Sequence, residues 1–119
     1  MINRYQPTRI AIAGLGFGES VHIPASVYND NIELLGLWHP RLERLQEVCH
    51  KHNLSPYEDW KKLLGDQRIE GIIIATPPEP RFKLAMEAIQ AGKHLLLEKP
   101  TCLNADEVRE LQRKAQEKN

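Results

Sequence analysis

Short apolar runs alternate with segments of helical period along the whole chain, and this order leaves few folds open. Arg9–Ala13, Ile32–Trp38, Leu54–Tyr57, Gly71–Ala75 and His94–Leu97 read as strands. The first helix is expected from Gly18 to Tyr28, with Val21, Ala25 and Tyr28 on one face. Pro24 lies inside it, and a proline in a helix interior costs about 3 kcal/mol, so this helix should be short or broken. Arg41–Lys51 buries Leu42, Leu45, Val48 and Cys49; Glu58–Leu64 turns Trp60, Leu63 and Leu64 inward. A helix after Pro80 carries Phe82, Ala85, Met86 and Ile89 at the spacing of a buried stripe, with Gly92 as its C-terminal stop. The last helix opens on the capping pair Asn104 and Glu107 and buries Ala105, Val108, Leu111 and Ala115. Strand-then-helix order implies right-handed crossovers and helices on both faces of a mostly parallel sheet: a three-layer αβα fold of the α/β class. The unbroken apolar run at Gly71–Ala75 suits a strand covered on both faces.

A chain of 119 residues fits one domain, 1–119. Its 16 basic and 16 acidic residues cancel, which removes the electrostatic reason to expect nucleic acid or an anionic membrane as partner. No apolar run reaches the roughly 20 residues needed to span a bilayer. Met1–Thr8 is polar and has no signal-peptide core, so a cytoplasmic location is expected. Cys49 and Cys102 form no C-x-x-C pair and read as reduced thiols. The five histidines make no metal-ligand pattern; His50 and His52 are expected in solvent at the end of the second helix. No metal site and no Ser-His-Asp arrangement is read.

Ligands of such sheets bind at the carboxyl ends of the strands, where strand order reverses. The residues there carry the chemistry. Gly14-Leu15-Gly16-Phe17-Gly18-Glu19 joins the first strand to the first helix. The turn is tight, and a pyrophosphate must approach its backbone without meeting a Cβ. The helix start then offers free N–H groups to the phosphates. This strand–glycine turn–helix context is the dinucleotide fingerprint, with Gly14, Gly16, Phe17 and Gly18 as cofactor-binding candidates. One position departs from it: Glu19 stands where Gly or Ala normally allows close helix–strand packing. Facing a pyrophosphate it would repel it, so it is expected to point to solvent.

Selection between NAD and NADP is read at the end of the second strand, Leu37-Trp38-His39-Pro40-Arg41. An acid about 20 residues past the glycines would accept from the ribose 2′-hydroxyl of NAD. Here His39 takes that place, and Arg41 and Arg44 follow. A guanidinium grips a 2′-phosphate bidentately, so NADP is favoured over NAD, with His39, Arg41 and Arg44 as the residues that meet it.

Three motifs together resemble the Gfo/Idh/MocA family of oxidoreductases, over roughly Thr8–Ala115. They are Ile12-Ala-Gly14-Leu-Gly16-Phe-Gly18, then Ala75-Thr76-Pro77-Pro78, then Ala91-Gly92-Lys93-His94 leading to Glu98-Lys99-Pro100. The resemblance implies an NAD(P)-binding Rossmann domain whose partner domain, holding much of the substrate pocket, is absent here. The chain is therefore expected to be the N-terminal part of a larger oxidoreductase, or a degenerate relative of one. It implies that Thr76 and Pro77 lie along the cofactor and that Lys99 is catalytic, near the nicotinamide, oriented by Glu98. An ammonium there would stabilise charge on a substrate oxygen. It implies sugars, polyols and related substrates, met only with the missing domain. Apolar surface that would meet that domain favours self-association into a homo-oligomer. Many relatives carry a histidine five residues after the threonine; Arg81 stands there, and no role is carried over to it. His22, in Val21-His22-Ile23-Pro24, is shared by some relatives as a packing feature or a cofactor contact. Two other readings stay open: a stand-alone NAD(P)-sensing module, and a degenerate Rossmann scaffold for protein contacts.

Overall fold

The computed structural model describes residues 6–118; residues 1–5, part of the polar N-terminal stretch, lie outside them. The strands are β1 (Thr8–Ala13), β2 (Ile32–Trp38), β3 (Gly71–Ile74) and β4 (His94–Leu97). The helices are α1 (Ile23–Val27), α2 (Leu42–His52), α3 (Trp60–Gly65), α4 (Pro78–Gln90) and α5 (Ala105–Lys118). The four strands are all parallel in the order β2-β1-β3-β4. The chain leaves β1 towards β2 on one side, and β3 pairs on the other, so strand order reverses between β1 and β3.

Alternation along the strands divides the core into two halves, as a period of two requires. Ala11, Ala13, Ile72 and Ile74 face α3, α4 and α5, where they meet Trp60, Leu63, Ala85, Ala88 and Leu111. Ile12, Leu37 and Ile73 face the other way, onto Ile23, Leu45, Val48 and Cys49 of α1 and α2. The three-layer αβα sandwich is thereby complete.

Several elements differ from expectation. Leu54–Tyr57 is not a strand but a single bridge: Leu37 N–H donates to Ser55 O at 3.0 Å, and Tyr57 N–H donates to Leu37 O at 2.8 Å. Pro56 between them has no N–H with which to extend a ladder. Gly36 admits this segment, because a Cβ there would lie 2.6 Å from the Tyr57 ring and 2.7 Å from Ser55 O. The first helix is divided. A π-helical turn, Gly18–His22, is closed by Ile23 N–H on Gly18 O, and α1 then starts with Pro24 in its first turn. There the missing N–H costs nothing. Its buried residues are Ile23 and Ser26, whereas Val21 and Tyr28 are exposed. Leu42 is also exposed, at the very start of α2. α4 begins at Pro78, two residues ahead of Pro80, and ends with Gly92 at φ +81°. The Asn104 carboxamide caps α5 by accepting from Glu107 N–H at 2.9 Å. α5 buries only Leu111; Ala105, Val108 and Ala115 are exposed. Val108 and Ala115 instead line a groove of about 670 Å³ between α5 and β4.

Candidate functional site

Parallel strands bring the segments after β1, β2, β3 and β4 to one edge of the sheet. They enclose a cavity of about 880 Å³ at the point where strand order reverses. Gly14, Gly16 and Phe17 line it from the β1 turn; Trp38 and His39 from the end of β2; Thr76 and Pro77 from β3; Glu98 and Lys99 from β4.

The three glycines of the first turn do different work. Gly14 sits at φ +95°, and a Cβ on it would lie 2.5 Å from Thr76 N and 2.6 Å from Ala75 C. It therefore brings the β1 and β3 turns into backbone contact. Gly18 is buried beneath the cavity, where a Cβ would lie 3.2 Å from the Ile12 side chain. Gly18 supplies the close helix–strand packing, so the next position is released from it. Gly16 borders the cavity, and a Cβ there would meet nothing within 4 Å. Among the described residues the backbone N–H groups of Leu15, Gly16 and Phe17 have no acceptor. Free amides beside open space are what a pyrophosphate requires of such a turn.

Glu19 does not point to solvent. It turns onto α2, where it accepts from Arg44 at 2.8 Å and His52 at 2.9 Å and pairs with Lys51 at 3.3 Å. The His52 hydrogen bond, followed by the contacts with Lys51 and Arg44, holds its carboxyl below the usual range against the opposing effect of burial. His52 is accordingly not a solvated terminal residue. Arg44 also donates to Leu15 O at 3.1 Å, tying α2 to the glycine turn. Neither Arg44 nor Arg41 lines the cavity; Arg41 is exposed just beyond its β2 end. His39 Nδ1 accepts from Arg41 N–H at 3.0 Å, so the neutral ring carries its proton on Nε2. Burial, and then the charges of Arg41 and Arg44, favour that neutral form.

At the other end of the cavity, His22 Nε2 and a Glu98 carboxylate oxygen lie 2.6 Å apart. This hydrogen bond is the main cause that holds Glu98 below the usual carboxylate range. His22 thus buttresses the Glu98-Lys99-Pro100 turn from the first helical segment, while Lys99 is exposed along the cavity. Sequence reasoning passed over Arg81, and the structure places it between the two turns. It is only 3 % exposed and donates to the backbone carbonyls of Thr76, Glu98 and Pro100. Its position five residues past Thr76, one turn into α4, was the available signal. Trp38 and Lys83 also line the cavity without having been singled out.

The chain has recognisable relatives. A family model described as an oxidoreductase family with an NAD-binding Rossmann fold matches residues 8–119. An uncharacterised oxidoreductase of Synechocystis sp. is 39% identical over 103 residues, covering 86% of this chain and 28% of that protein. The scyllo-inositol 2-dehydrogenase (NADP(+)) of Bacillus subtilis is 31% identical over 117 residues, 92% of this chain and 30% of that enzyme. Among solved structures, an NAD-binding protein from Listeria innocua superposes with a TM-score of 0.90 at 28% identity, over 96% of this chain and 32% of that one. The chain thus spans about a third of the length of the proteins it matches. With the glycine turn, the strand-end cavity and the matched span in agreement, this chain is a nicotinamide-dinucleotide-binding Rossmann domain of the Gfo/Idh/MocA oxidoreductase family.

Proposed function

We propose that the dinucleotide lies along the strand ends and that the chain is the cofactor half of a cytoplasmic dehydrogenase acting on a sugar or polyol. The carrying observation is the single cavity into which all four strand ends deliver Gly14 and Gly16, His39, Thr76, and Lys99. When bound, the nicotinamide donates or accepts a hydride. The remaining work falls to the chain's own residues. The amides of Leu15, Gly16 and Phe17 take the pyrophosphate, and the His39 Nε2–H faces the adenosine ribose at the β2 end. Thr76 and Pro77 bound the nicotinamide ribose. Lys99 stands where an ammonium would hydrogen-bond a substrate oxygen and stabilise negative charge developing on it. The Glu98 carboxylate, held by His22, orients this turn. A stand-alone sensor would have no use for Lys99 at this end of the cavity.

We further propose a preference for NADP. No carboxylate stands at the end of β2, and Arg41 there is left for a 2′-phosphate while Arg44 is committed to Glu19. Titration calorimetry with NADPH and NADH, on wild type and Arg41→Ala, tests both statements. Wild type should bind both and NADPH more tightly. Arg41→Ala should weaken NADPH by about 1.5 kcal/mol, the low end for a charge-assisted hydrogen bond because Arg41 is exposed, and leave NADH nearly unchanged. Tighter NADH binding, or an equal loss for both, would refute phosphate selection; no binding of either would refute the cavity assignment.

A further inference from the structure

Arg81 is a buried cation without a carboxylate on its fork. Among the described residues one nitrogen, Nη1, donates to Glu98 O and Pro100 O, the carbonyls of the residues on either side of Lys99. The other, Nη2, donates to Thr76 O at the end of β3. Nε is buried without a partner. Taking a guanidinium out of water is costly, and an apolar side chain would fill the same space at lower cost. What an apolar residue cannot do is hold three carbonyls of two separate turns in one plane. The rigid fork of arginine does this, and a lysine ammonium on a flexible stem does not.

The two turns that Arg81 joins are those at the far end of the cavity from His39. In an open parallel sheet the acid-equivalent position after the second strand meets the adenosine ribose. The pyrophosphate then lies over the glycine turn, and the nicotinamide falls over the ends of β3 and β4. Lys99 is exposed, and among the described residues no hydrogen bond or ion pair fixes its side chain. Where its ammonium reaches is therefore set by the backbone on either side, which is what Arg81 grips.

We infer that Arg81 is a positioning residue, which fixes the Thr76 turn and the Lys99 turn against each other as a preformed seat for the nicotinamide end of the cofactor. The inference rests on the dinucleotide reading of the cavity. The discriminating comparison is NADH against ADP, which shares the adenosine and the pyrophosphate and lacks the nicotinamide and its ribose. Both are titrated calorimetrically into wild type, Arg81→Lys and Arg81→Gln, after circular dichroism and thermal melts establish that each variant is folded. If Arg81→Gln fails to fold, Arg81→Lys, which keeps the charge and the stem, carries the comparison. NADH should weaken on the order of tenfold in the variants while ADP stays within about twofold of wild type, the scale of one lost charge-assisted contact at one end of the ligand. Equal weakening of both ligands, no weakening of either, or collapse of both variants would make Arg81 a folding residue alone and overturn the inference, leaving the cavity reading in place. Wild type that binds neither ligand would overturn the cavity reading, and this inference with it.

Discussion

Alanine at position 14 and alanine at position 16 should separate folding from binding within one turn. Gly14 has φ +95°, and its added Cβ would lie 2.5 Å from Thr76 N and 2.6 Å from Ala75 C, both backbone atoms that cannot swing aside. Backbone strain at such a residue costs about 1–3 kcal/mol. Overpacking against a rigid neighbour adds about 1–3 kcal/mol. A domain of this size loses about 4 °C in Tm per kcal/mol, so Gly14→Ala should melt roughly 10–20 °C below wild type. Gly16 meets nothing within 4 Å and has no positive φ. Removing a glycine from the unfolded chain at such a site is worth about 0.4–1 kcal/mol, so Gly16→Ala should melt at or slightly above wild type. Its methyl would, however, stand in the proposed pyrophosphate site, and an overpacking cost of about 1–3 kcal/mol there means roughly 5- to 150-fold weaker NADPH binding. Differential scanning calorimetry reads the first quantity and titration calorimetry the second. A Gly16→Ala protein that binds as wild type does, or a Gly14→Ala protein that melts as wild type does, would refute the division of labour.

Acid should loosen the first helical segment from α2. The folded pKa of Glu19 is depressed, so its contribution is present above the ordinary carboxylate value and is lost as pH falls through the folded value. Melts between about pH 6 and pH 2 should show wild type losing its advantage over Glu19→Gln in that fall, and a constant difference would dismiss the cluster as a source of stability. The thiols should be inert. Both cysteines are buried, and burial pushes the Cys49 thiol up to about 11. At pH 8 that leaves its thiolate fraction more than about a hundredfold below that of a free cysteine. A colourless aromatic disulfide reagent should react with the folded chain very slowly and with the unfolded chain at once; rapid titration of two thiols in the native protein would contradict the packing.

The sheet was legible because its signals are local. Ile10–Ala13 and Gly71–Ile74 are apolar without interruption, and each precedes its turn residues by one or two positions. The placement of Gly14, His39, Thr76 and Lys99 on one edge followed from the parallel order alone. Leu54–Tyr57 misled because composition records a propensity for extension, whereas a ladder also needs an N–H that Pro56 lacks. The stripe on α5 misled differently: Val108 and Ala115 have the spacing of a buried face, but period says which residues share a side and nothing about what covers it. Arg81 was illegible because an arginine in a helix reads as solvent-facing, and its acceptors are backbone carbonyls, which leave no trace in residue identity. Glu19 was misjudged because its partners lie some 25 or more residues away on α2 and no local rule connects them.

The Glu19 cluster has a consequence for how such a sequence can change. Judged by itself, an acid at the sixth place of the glycine turn reads as damage, and a reversion to glycine reads as repair. The contacts make it one charge in a shared account with Arg44, Lys51 and His52. Glycine at 19 would leave Lys51 and His52 facing no acid among the described residues and Arg44 paired with Glu47 alone, its other nitrogen still bonded to the Leu15 carbonyl beside the free amides of the glycine turn. Positions 19 and 44 are therefore expected to change together. Sequences that lose the acid are expected to lose the arginine, or to turn it towards the anion proposed to sit at the glycine turn.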